Sequence, residues 1–273
     1  MLVHYLKFFF RDIVRNRLYA FINLTGLVIG LALTFLLLLY VFHELTYDKT
    51  NKNYARVYRV ISHEVTLNRQ LSQTPYPLSS KLKQQFPDIE EAAVVQGYIH
   101  PNVKIGEEQV QVNDFFCADN AILRILTFPI VEGNSLSPLE NPESIILGKE
   151  WSKRIFGNES PIGKTIELSV GNDKYTLTVT ALMDALPNNR TFIPGMIANI
   201  NIALENLHKT INTSDTITRD AAYFRTSYDD WWFDSYLLLK EGANYKDLEK
   251  RLLLVAPSIS PRSTTSMKFF FNR

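Results

Sequence analysis

The sequence predicts an α+β protein with one N-terminal transmembrane helix followed by a folded domain outside the cytoplasm. Three observations lead to this prediction. Residues Leu18 to Phe42 contain no Asp, Glu, Lys, Arg or His, the chain before them is basic, and the chain after them alternates strand-like and helix-like patterns. An apolar run of this length exceeds the roughly 20 residues that cross a hydrocarbon core about 30 Å thick.

Two other interpretations of this run fit less well. A buried helix of a soluble protein rarely stays uncharged for so long. A signal peptide has an apolar region of only about 7–15 residues before a small-residue cleavage site, and Val41-Phe42-His43-Glu44 offers no such site. We therefore expect residues 18–42 to remain attached as a membrane span.

The flanks of the run set its orientation. Basic residues dominate the N-terminal side, where Lys7, Arg11, Arg15 and Arg17 outweigh Asp12. By the positive-inside tendency that end is cytoplasmic, so the chain after His43 is extracytoplasmic. Residues 1–17 alternate apolar and basic positions, which is typical of an amphipathic segment lying in the headgroup region.

Inside the run, Gly26 and Gly30 are four residues apart. This spacing is typical of a helix face that packs closely on another helix. Lipid-facing tolerance of glycine explains the same pattern equally well.

Composition excludes some function classes. The chain has 29 Lys and Arg against 28 Asp and Glu, so no basic excess indicates a nucleic-acid partner. Cys117 is the only cysteine, which leaves the outer domain without an intrachain disulfide. The domain must therefore be held by its core, either as one domain or as two small lobes.

The first elements after the membrane run are a strand, a helix and a second strand. Residues 56–62 alternate in the period of a strand with one buried face. A helix is expected from Pro77 to Phe86, because Leu78, Leu82 and Phe86 recur every four residues and Pro87 follows. Residues 89–98 then predict a strand at the edge of a sheet.

The middle of the chain is dense in turn residues, as expected for short β-elements. Within it we predict a buried strand at 145–147, a helix at 149–156 and a hairpin at 165–182. The domain closes with a strand at 235–239 and a helix at 245–254.

On that last helix, Asp247 and Arg251 are spaced to form an ion pair. The sequence then becomes rich in Ser, Thr and Pro. Residues 255–273 are accordingly expected to form an irregular tail.

No motif predicts catalysis, a metal or a cofactor. The segment Gly157–Thr165 has five residues between its glycines where a phosphate-binding loop has four, so we predict a turn leading into a strand. His63-Glu64 lacks the second histidine of a zinc-protease helix. The aromatic run 231–233 precedes a strand, which favours core packing over a ligand or membrane contact.

Several segments, taken in order, resemble those of a known family. They are the first membrane helix with its exit at Glu44, Tyr47 and Asp48, then Tyr58-Arg59, DFF at Asp114–Phe116, FPIVEGN at Phe128–Asn134, ESIILGKEWSKRIFGNESPIGKTI at Glu143–Ile166, ALPNNRTF at Ala185–Phe192 and YLLLKEGANYKDLEKRL at Tyr236–Leu252. Together they resemble the MacB/FtsX-type ABC transporter permeases that carry a MacB-like periplasmic core domain. The resemblance covers roughly residues 5–252.

This resemblance implies a domain at 43–254 with two lobes. A porter-like α+β lobe would comprise about 45–95 and 200–254, and an inserted, mainly β lobe about 96–199. The residues around Glu44, Tyr47 and Asp48 would join the helix mechanically to the domain. The resemblance also implies the bacterial inner membrane as location.

As partners, the resemblance implies an ABC ATPase subunit, a second permease copy in a homodimer or heterodimer, and a periplasmic adaptor. The chain itself would be no enzyme, since ATP hydrolysis would take place in the partner. Substrates of the family include peptides, drugs and lipoproteins, so the cargo is not specified.

Members of the family have about three further membrane helices after the outer domain, and the final KFFF at Lys268–Phe271 is too short to span. The sequence is thus expected to be the N-terminal portion of a truncated or frameshifted permease. The alternative is a single-helix anchored binding or adaptor module that acts without ATP. An extracytoplasmic hydrolase is a third, more distant alternative.

Overall fold

A computed structural model describes residues 11, 15–64, 69–211, 219–259 and 267–272. The chain divides into two compact units, Met1–Asp48 and Lys49–Arg273.

The first unit contains helix α1, Arg17–Leu45, which includes the whole predicted span. Its 29 residues extend about 44 Å at 1.5 Å per residue, enough to cross a bilayer core. None of its side chains is buried within the chain. Thr25 and Thr34 donate hydrogen bonds to the carbonyls of Phe21 and Gly30 within the helix, which satisfies their hydroxyls where lipid offers no partner.

The second unit is built on β-structure with short helices. Its strands are β1 (Val57–Glu64), β2 (Arg69–Leu71), β3 (Ile89–Gln96), β4 (Asn102–Ile105), β5 (Glu108–Gln111), β6 (Phe115–Ala118), β7 (Ile130–Gly133), β8 (Ser144–Gly148), β9 (Thr165–Val170), β10 (Asp173–Met183), β11 (Met196–Asn199), β12 (Asp234–Leu239) and β13 (Met267–Asn272). Its helices are α2 (Leu78–Gln85), α3 (Ile122–Ile125), α4 (Lys149–Phe156), α5 (Asn201–Ile211), α6 (Ala221–Thr226) and α7 (Tyr245–Ile259). The predicted α+β class is confirmed.

The described strands form one sheet in the order β13-β1-β12-β3-β6-β11-β8-β10-β9-β4-β5, with β2 beside β1 and β7 beside β10. The prediction that residues 89–98 form an edge strand is wrong, because β3 pairs with β12 on one side and β6 on the other. The burial of Ala93, Val94 and Val95 in succession reflects this interior position.

Alternate residues of β12 pack on opposite faces of the sheet. Leu237 and Leu239 join a cluster with residues of α2 and α7, whereas Tyr236 and Leu238 join a cluster with residues of α3. This is the period-two arrangement of a strand covered by helices on both faces. It places α3 on the face opposite α2.

The predicted hairpin is confirmed as β9 and β10, which pair antiparallel from Thr165 opposite Thr178 to Val170 opposite Asp173. The predicted helix at 149–156 is confirmed as α4. The turn predicted at Gly157–Thr165 is also confirmed, since this segment connects α4 to β9.

Two expectations near the C-terminus are wrong. The structure places regular elements in the range 255–273, because α7 continues to Ile259 and β13 pairs with β1. The backbone groups along one side of β1 provide the partners for β13, which is rich in the aromatic residues that favour strands. Arg251 pairs with Asp88 rather than with Asp247, since Asp88 is held beside it by the fold.

The proposed division into lobes remains a prediction. The boundary it implies near residue 95 falls at the end of β3, which pairs with β6 at only two positions, Val95 with Ala118 and Gln96 with Cys117.

Candidate functional site

The second unit begins with the segment Lys49–Arg56, which we name the entrance segment. Asn51 lies in it with only 5% of its surface exposed. Its Oδ1 accepts hydrogen bonds from the backbone N–H of Asn53 and from the hydroxyl of Thr127, both at 3.1 Å. A short amide side chain that bonds two residues ahead stabilises a turn, and the bond to Thr127 ties this turn to a distant loop.

Thr127 connects the entrance segment with a second loop. Its hydroxyl oxygen accepts a hydrogen bond from the backbone N–H of Lys52 at 3.1 Å, and its carbonyl accepts one from Arg190 Nη2 at 3.0 Å. Arg190 is 6% exposed. A buried guanidinium requires acceptors, so Arg190 holds the loop that contains it against Thr127.

Asn53 contacts the C-terminal end of α3. Its Nδ2 donates to the carbonyls of Arg124 and Ile125 at 3.0 and 3.1 Å. The last carbonyls of a helix lack hydrogen-bond donors within the helix. Asn53 supplies a donor to two such carbonyls of α3, which has only four residues.

Arg56 extends these contacts to the sheet. Its Nη1 lies 2.7 Å from Glu90 Oε2 and 3.0 Å from the carbonyl of Leu239, and its Nη2 donates to Asn53 Oδ1 at 3.2 Å. The bonds of Asn51, Asn53 and Arg56 form what we name the entrance network. It joins the start of the domain to α3, to β3, to β12 and to the loop before β7.

The carboxylate of Asp119 holds the N-terminal end of α3. Asp119 Oδ2 accepts from the backbone N–H of Val94 at 3.0 Å, and Oδ1 accepts from that of Ala121 at 3.1 Å. Burial raises the pKa of Asp119 to about 6, although these hydrogen bonds and the nearby Arg124 oppose the rise.

Glu91 bridges α3 to α2, because its carboxylate binds both Lys83 and Arg124. Burial alone would raise the pKa of Glu91, but hydrogen bonds from the two cations lower it overall.

A second ion pair, Arg59 with Asp234 at 2.7 Å, joins β1 to β12. Burial raises the pKa of Asp234, and the charge of Arg59 opposes this.

Two of the segments that carry the family resemblance, those of Asp114 and of Trp151, meet beside Gly195 in a second cluster. Asp114 accepts hydrogen bonds from Trp151 Nε1 at 3.0 Å on both carboxylate oxygens. Gly195 donates its backbone N–H to the carbonyl of Asp114 at 2.8 Å, and Gly148 donates to that of Gly195 at 2.7 Å. A Cβ on Gly195 would lie 1.8 Å from Asp114 Oδ2, so this backbone approach requires glycine.

The residues predicted from the sequence lie in the first unit rather than in these clusters. Lys7 falls outside the described residues, and Arg11, Arg15 and Arg17 precede or begin α1. A Cβ added to Gly26 or Gly30 would meet nothing within 4 Å, so this face of α1 is open to a close approach.

The residues predicted to join the helix to the domain are Glu44, Tyr47 and Asp48, at the C-terminal end of α1 and just after it. Glu44 lies in the last turn of α1, and the ring of Tyr47 lies 5.9 Å from that of His43. Asp48 is the one described non-glycine residue with positive φ, at 56°. Asp tolerates this left-handed conformation better than most residues, and it turns the chain where the first unit ends.

Sequence reasoning missed Asn51, Asn53 and Thr127. The run Asn51-Lys52-Asn53 is a turn signal, but nothing in its spacing identifies partners more than 70 residues away. The prediction that the aromatic run 231–233 packs in the core is confirmed for Phe233, which is fully buried. The same prediction is wrong for Trp232, whose surface is 41% exposed.

No catalytic or metal centre stands out in these clusters. Within the described ranges, no three His, Cys, Asp or Glu side chains are grouped to hold a metal ion. The two clusters connect elements of the domain to one another through hydrogen bonds to backbone groups and through ion pairs.

Comparison with known proteins identifies the fold and the family. Residues 20–253 match the MacB-like periplasmic core domain family. A search of curated proteins gave no match.

Three of the solved structures that match this chain illustrate the shared fold. A domain of a putative permease from Porphyromonas gingivalis has a TM-score of 0.60 at 14% identity, covering 80% of this chain and 89% of that one. The periplasmic region of MacB from Actinobacillus actinomycetemcomitans has 0.53 at 12%, covering 80% and 88%.

The extracellular domain of the noncanonic ABC-type transporter YknZ from Gram-positive bacteria has a TM-score of 0.52 at 13% identity, covering 80% of this chain and 100% of that one. At these identities the likeness shows the fold alone. The family match covers most of the chain, from within α1 to near the end of the domain. The chain therefore belongs to the MacB-like periplasmic core domain family of ABC transporter permeases.

Proposed function

We propose that this chain serves as a MacB-like permease subunit, in which α1 transmits movement from a cytoplasmic ABC ATPase to the outer domain. Helix α1 would cross the bacterial inner membrane with its N-terminus in the cytoplasm. The domain after it would lie in the periplasm and would carry out no catalysis itself.

The entrance network is the observation that carries this proposal. Movement of a helix reaches a domain only if the first residues of that domain are bound to its body. Asn51, Asn53 and Arg56 provide such binding through five hydrogen bonds, which reach Thr127, Arg124, Ile125, Glu90 and Leu239. Two further bonds connect these three residues to one another. Because these bonds reach several elements at once, a displacement at Lys49 would move them together.

Membership of the family supports three proposed partners. An ABC ATPase would bind at the cytoplasmic side, and a second permease copy would pack in the membrane against the face of α1 that carries Gly26 and Gly30. A periplasmic adaptor would contact the outer domain. Lys7, Arg11, Arg15 and Arg17 would hold the cytoplasmic end of the permease at the headgroups.

Purification from native membranes tests this proposal. A tag placed on the outer domain should recover an ABC ATPase together with the chain, and the assembly should hydrolyse ATP. A preparation that is stably inserted and binds a ligand, with no ATPase recovered from the intact membrane, would instead support the anchored module that acts without ATP.

A further inference from the structure

Helix α1 carries a short polar side chain that has no partner on its own helix. The short polar residues between Leu18 and Phe42 are Asn23, Thr25 and Thr34. Both threonine hydroxyls donate to the carbonyl four residues earlier, at 2.7 and 2.8 Å. The amide of Asn23 forms no hydrogen bond within the part of the chain that the structure describes. Its two donors and its acceptor are thus all available to another molecule.

The depth of Asn23 along α1 makes this vacancy costly in a membrane. Asn23 follows Arg17 by six residues, which places it about 9 Å further along the helix axis at 1.5 Å per residue. The headgroup region that accepts a charged Arg17 is only about 5–7 Å thick on each side. A short amide side chain cannot extend back to the headgroups as a long Lys or Arg can. The amide therefore lies in hydrocarbon, where a polar group without a hydrogen bond is unfavourable.

Asn23 projects from the same face of α1 as the two glycines. At about 100° per residue, Gly26 and Gly30 lie within about 60° of Asn23 around the helix axis, and Thr34 within about 20°. Thr25 projects about 160° away from Asn23. A Cβ added to Gly26 or Gly30 would meet nothing within 4 Å. The amide therefore lies on the face where the backbone of a second helix can come closest.

A second copy of this chain satisfies the amide of Asn23 without any further polar residue. Copies that insert with the same orientation carry Asn23 at the same depth. An amide both donates and accepts, so two copies related by a two-fold axis along the membrane normal can exchange a pair of hydrogen bonds. A helix of any other protein would need its own polar group at this depth. Two copies of α1 are therefore complementary as they stand.

We propose that Asn23 pairs with Asn23 of a second copy of this chain, in a parallel contact between two α1 helices. Each Nδ2 donates to the Oδ1 of the other copy, and Gly26 and Gly30 let the two backbones approach. A single polar residue in an otherwise apolar helix contact fixes the register of the two helices. This contact deepens the proposed function and rests on its membrane span and second permease copy, but it requires no ATPase.

Disulfide crosslinking in native membranes tests which face of α1 meets the second copy. After oxidation, Asn23→Cys should give a product of twice the mass of the chain. Thr25→Cys is the matched control, because it lies within about 3 Å of the same depth on the opposite face, and it should stay monomeric. The native Cys117 is buried and should give no product.

Three results of the crosslinking would overturn the contact between two copies of Asn23. They are a product of Asn23→Cys with a different protein only, equal dimer yields from positions 23 and 25, and no product from position 23.

Energy transfer between labelled chains in vesicles, without an ATPase, measures what the amide contributes. Asn23→Leu should weaken pairing about 3- to 30-fold, the range expected for the loss of hydrogen bonds between membrane helices. Asn23→Gln keeps the amide and should change pairing less than about threefold. Thr25→Leu should leave pairing unchanged, because the hydroxyl of Thr25 is bonded within its own helix. An unchanged dissociation constant for Asn23→Leu would overturn the proposal.

Extraction with alkaline carbonate separates failure of this contact from failure of the proposed function. Release of the wild-type chain from membranes would overturn both, because α1 would then not span. A chain that stays inserted but fails either pairing test overturns the Asn23 contact alone.

Discussion

Among single residues, Asn51 and Asn53 of the entrance segment form hydrogen bonds with backbone groups that have no backbone partner in the turn or at the end of α3. Asn53 is the clearest case, because one side chain satisfies two terminal carbonyls of a helix with only four residues. Each such bond contributes about 1 kcal/mol when its loss leaves an acceptor without a partner.

Replacing Asn53 by Ala should therefore lower the free energy of unfolding by about 1–2 kcal/mol. Urea unfolding of the full chain in detergent, followed by tryptophan fluorescence, measures the change. Asn158→Ala is the matched control, since Asn158 is exposed in the turn after α4. Equal effects of the two substitutions would contradict the role assigned to Asn53.

Asp119 gives the domain a pH dependence with a defined sign. Its folded-state pKa is about 6 against an ordinary value of 3.8. Because the folded state binds the proton more tightly, this group makes the domain more stable as the pH falls from 7 to 5, by about 1 kcal/mol. Asp119→Asn should remove this share of the pH dependence.

Unfolding measured at pH 7, 6 and 5 tests the prediction for Asp119. The unfolding free energy of the wild type minus that of Asp119→Asn should rise as the pH falls from 7 to 5, because only the wild type gains stability from protonation of Asp119. A constant difference at all three pH values would show that Asp119 does not titrate in this range.

For single residues, the sequence predicts which side chains form turns but not which distant residues they bind. Asn51 and Asn53 are recognisable as turn residues, yet their bonds to Thr127 and Arg124 depend on the packing of α3. Asp119 carries no sequence signal of its raised pKa, because burial of the carboxyl causes it.

Among elements, the cluster of Asp114, Trp151 and Gly195 connects three parts of the chain where only glycine fits. Gly195→Ala would place a methyl group 1.8 Å from Asp114 Oδ2 and 2.5 Å from Trp151 Nε1. We expect a loss of about 2–4 kcal/mol of stability, as in overpacked cores.

A double variant separates steric overlap from other causes. In the Asp114→Ala background the same Gly195→Ala change should cost measurably less, because the overlapping carboxylate is gone. If both backgrounds lose the same stability, the contact with Asp114 is not the reason that position 195 requires glycine.

Helix α1 gives a prediction of its own about packing in the membrane. Gly30→Leu should weaken association between copies of the helix, measured by energy transfer between labelled chains in vesicles, because it fills the open face shared with Gly26. Ala32→Leu adds similar bulk on another face and should have little effect. Equal loss in both variants would remove the proposed packing face.

Elements with a strong period were predictable from the sequence, and short ones were not. The alternation of residues 175–181 identifies β10, and the four-residue repeat from Leu78 identifies α2. In contrast, β11 has four residues, all buried, and it is a strand because β6 and β8 lie on either side of it. Pairing of this kind leaves no local pattern.

For the whole molecule, the order of the segments along the chain predicted the family better than any single motif did. The motifs around Asp114, Trp151 and Ala185–Phe192 are individually weak, but they lie in the family's order, and the family match confirms the resemblance. The structure adds how they meet, since Asp114 binds Trp151 and Arg190 binds the loop that holds the entrance. The division into lobes and the identity of partners remain predictions.

The central claim is that nucleotide-driven movement of α1 reaches the outer domain through the entrance network. Spin labels on cysteines introduced at Leu18 and Glu107 report the distance between the helix start and the domain; the native Cys117 is buried and should not react. In the assembly with its ATPase, binding of ATP should shift this distance. Asn53→Ala should reduce the shift while ATP hydrolysis continues. An identical distance distribution with and without ATP, in an assembly that hydrolyses it, would contradict the account.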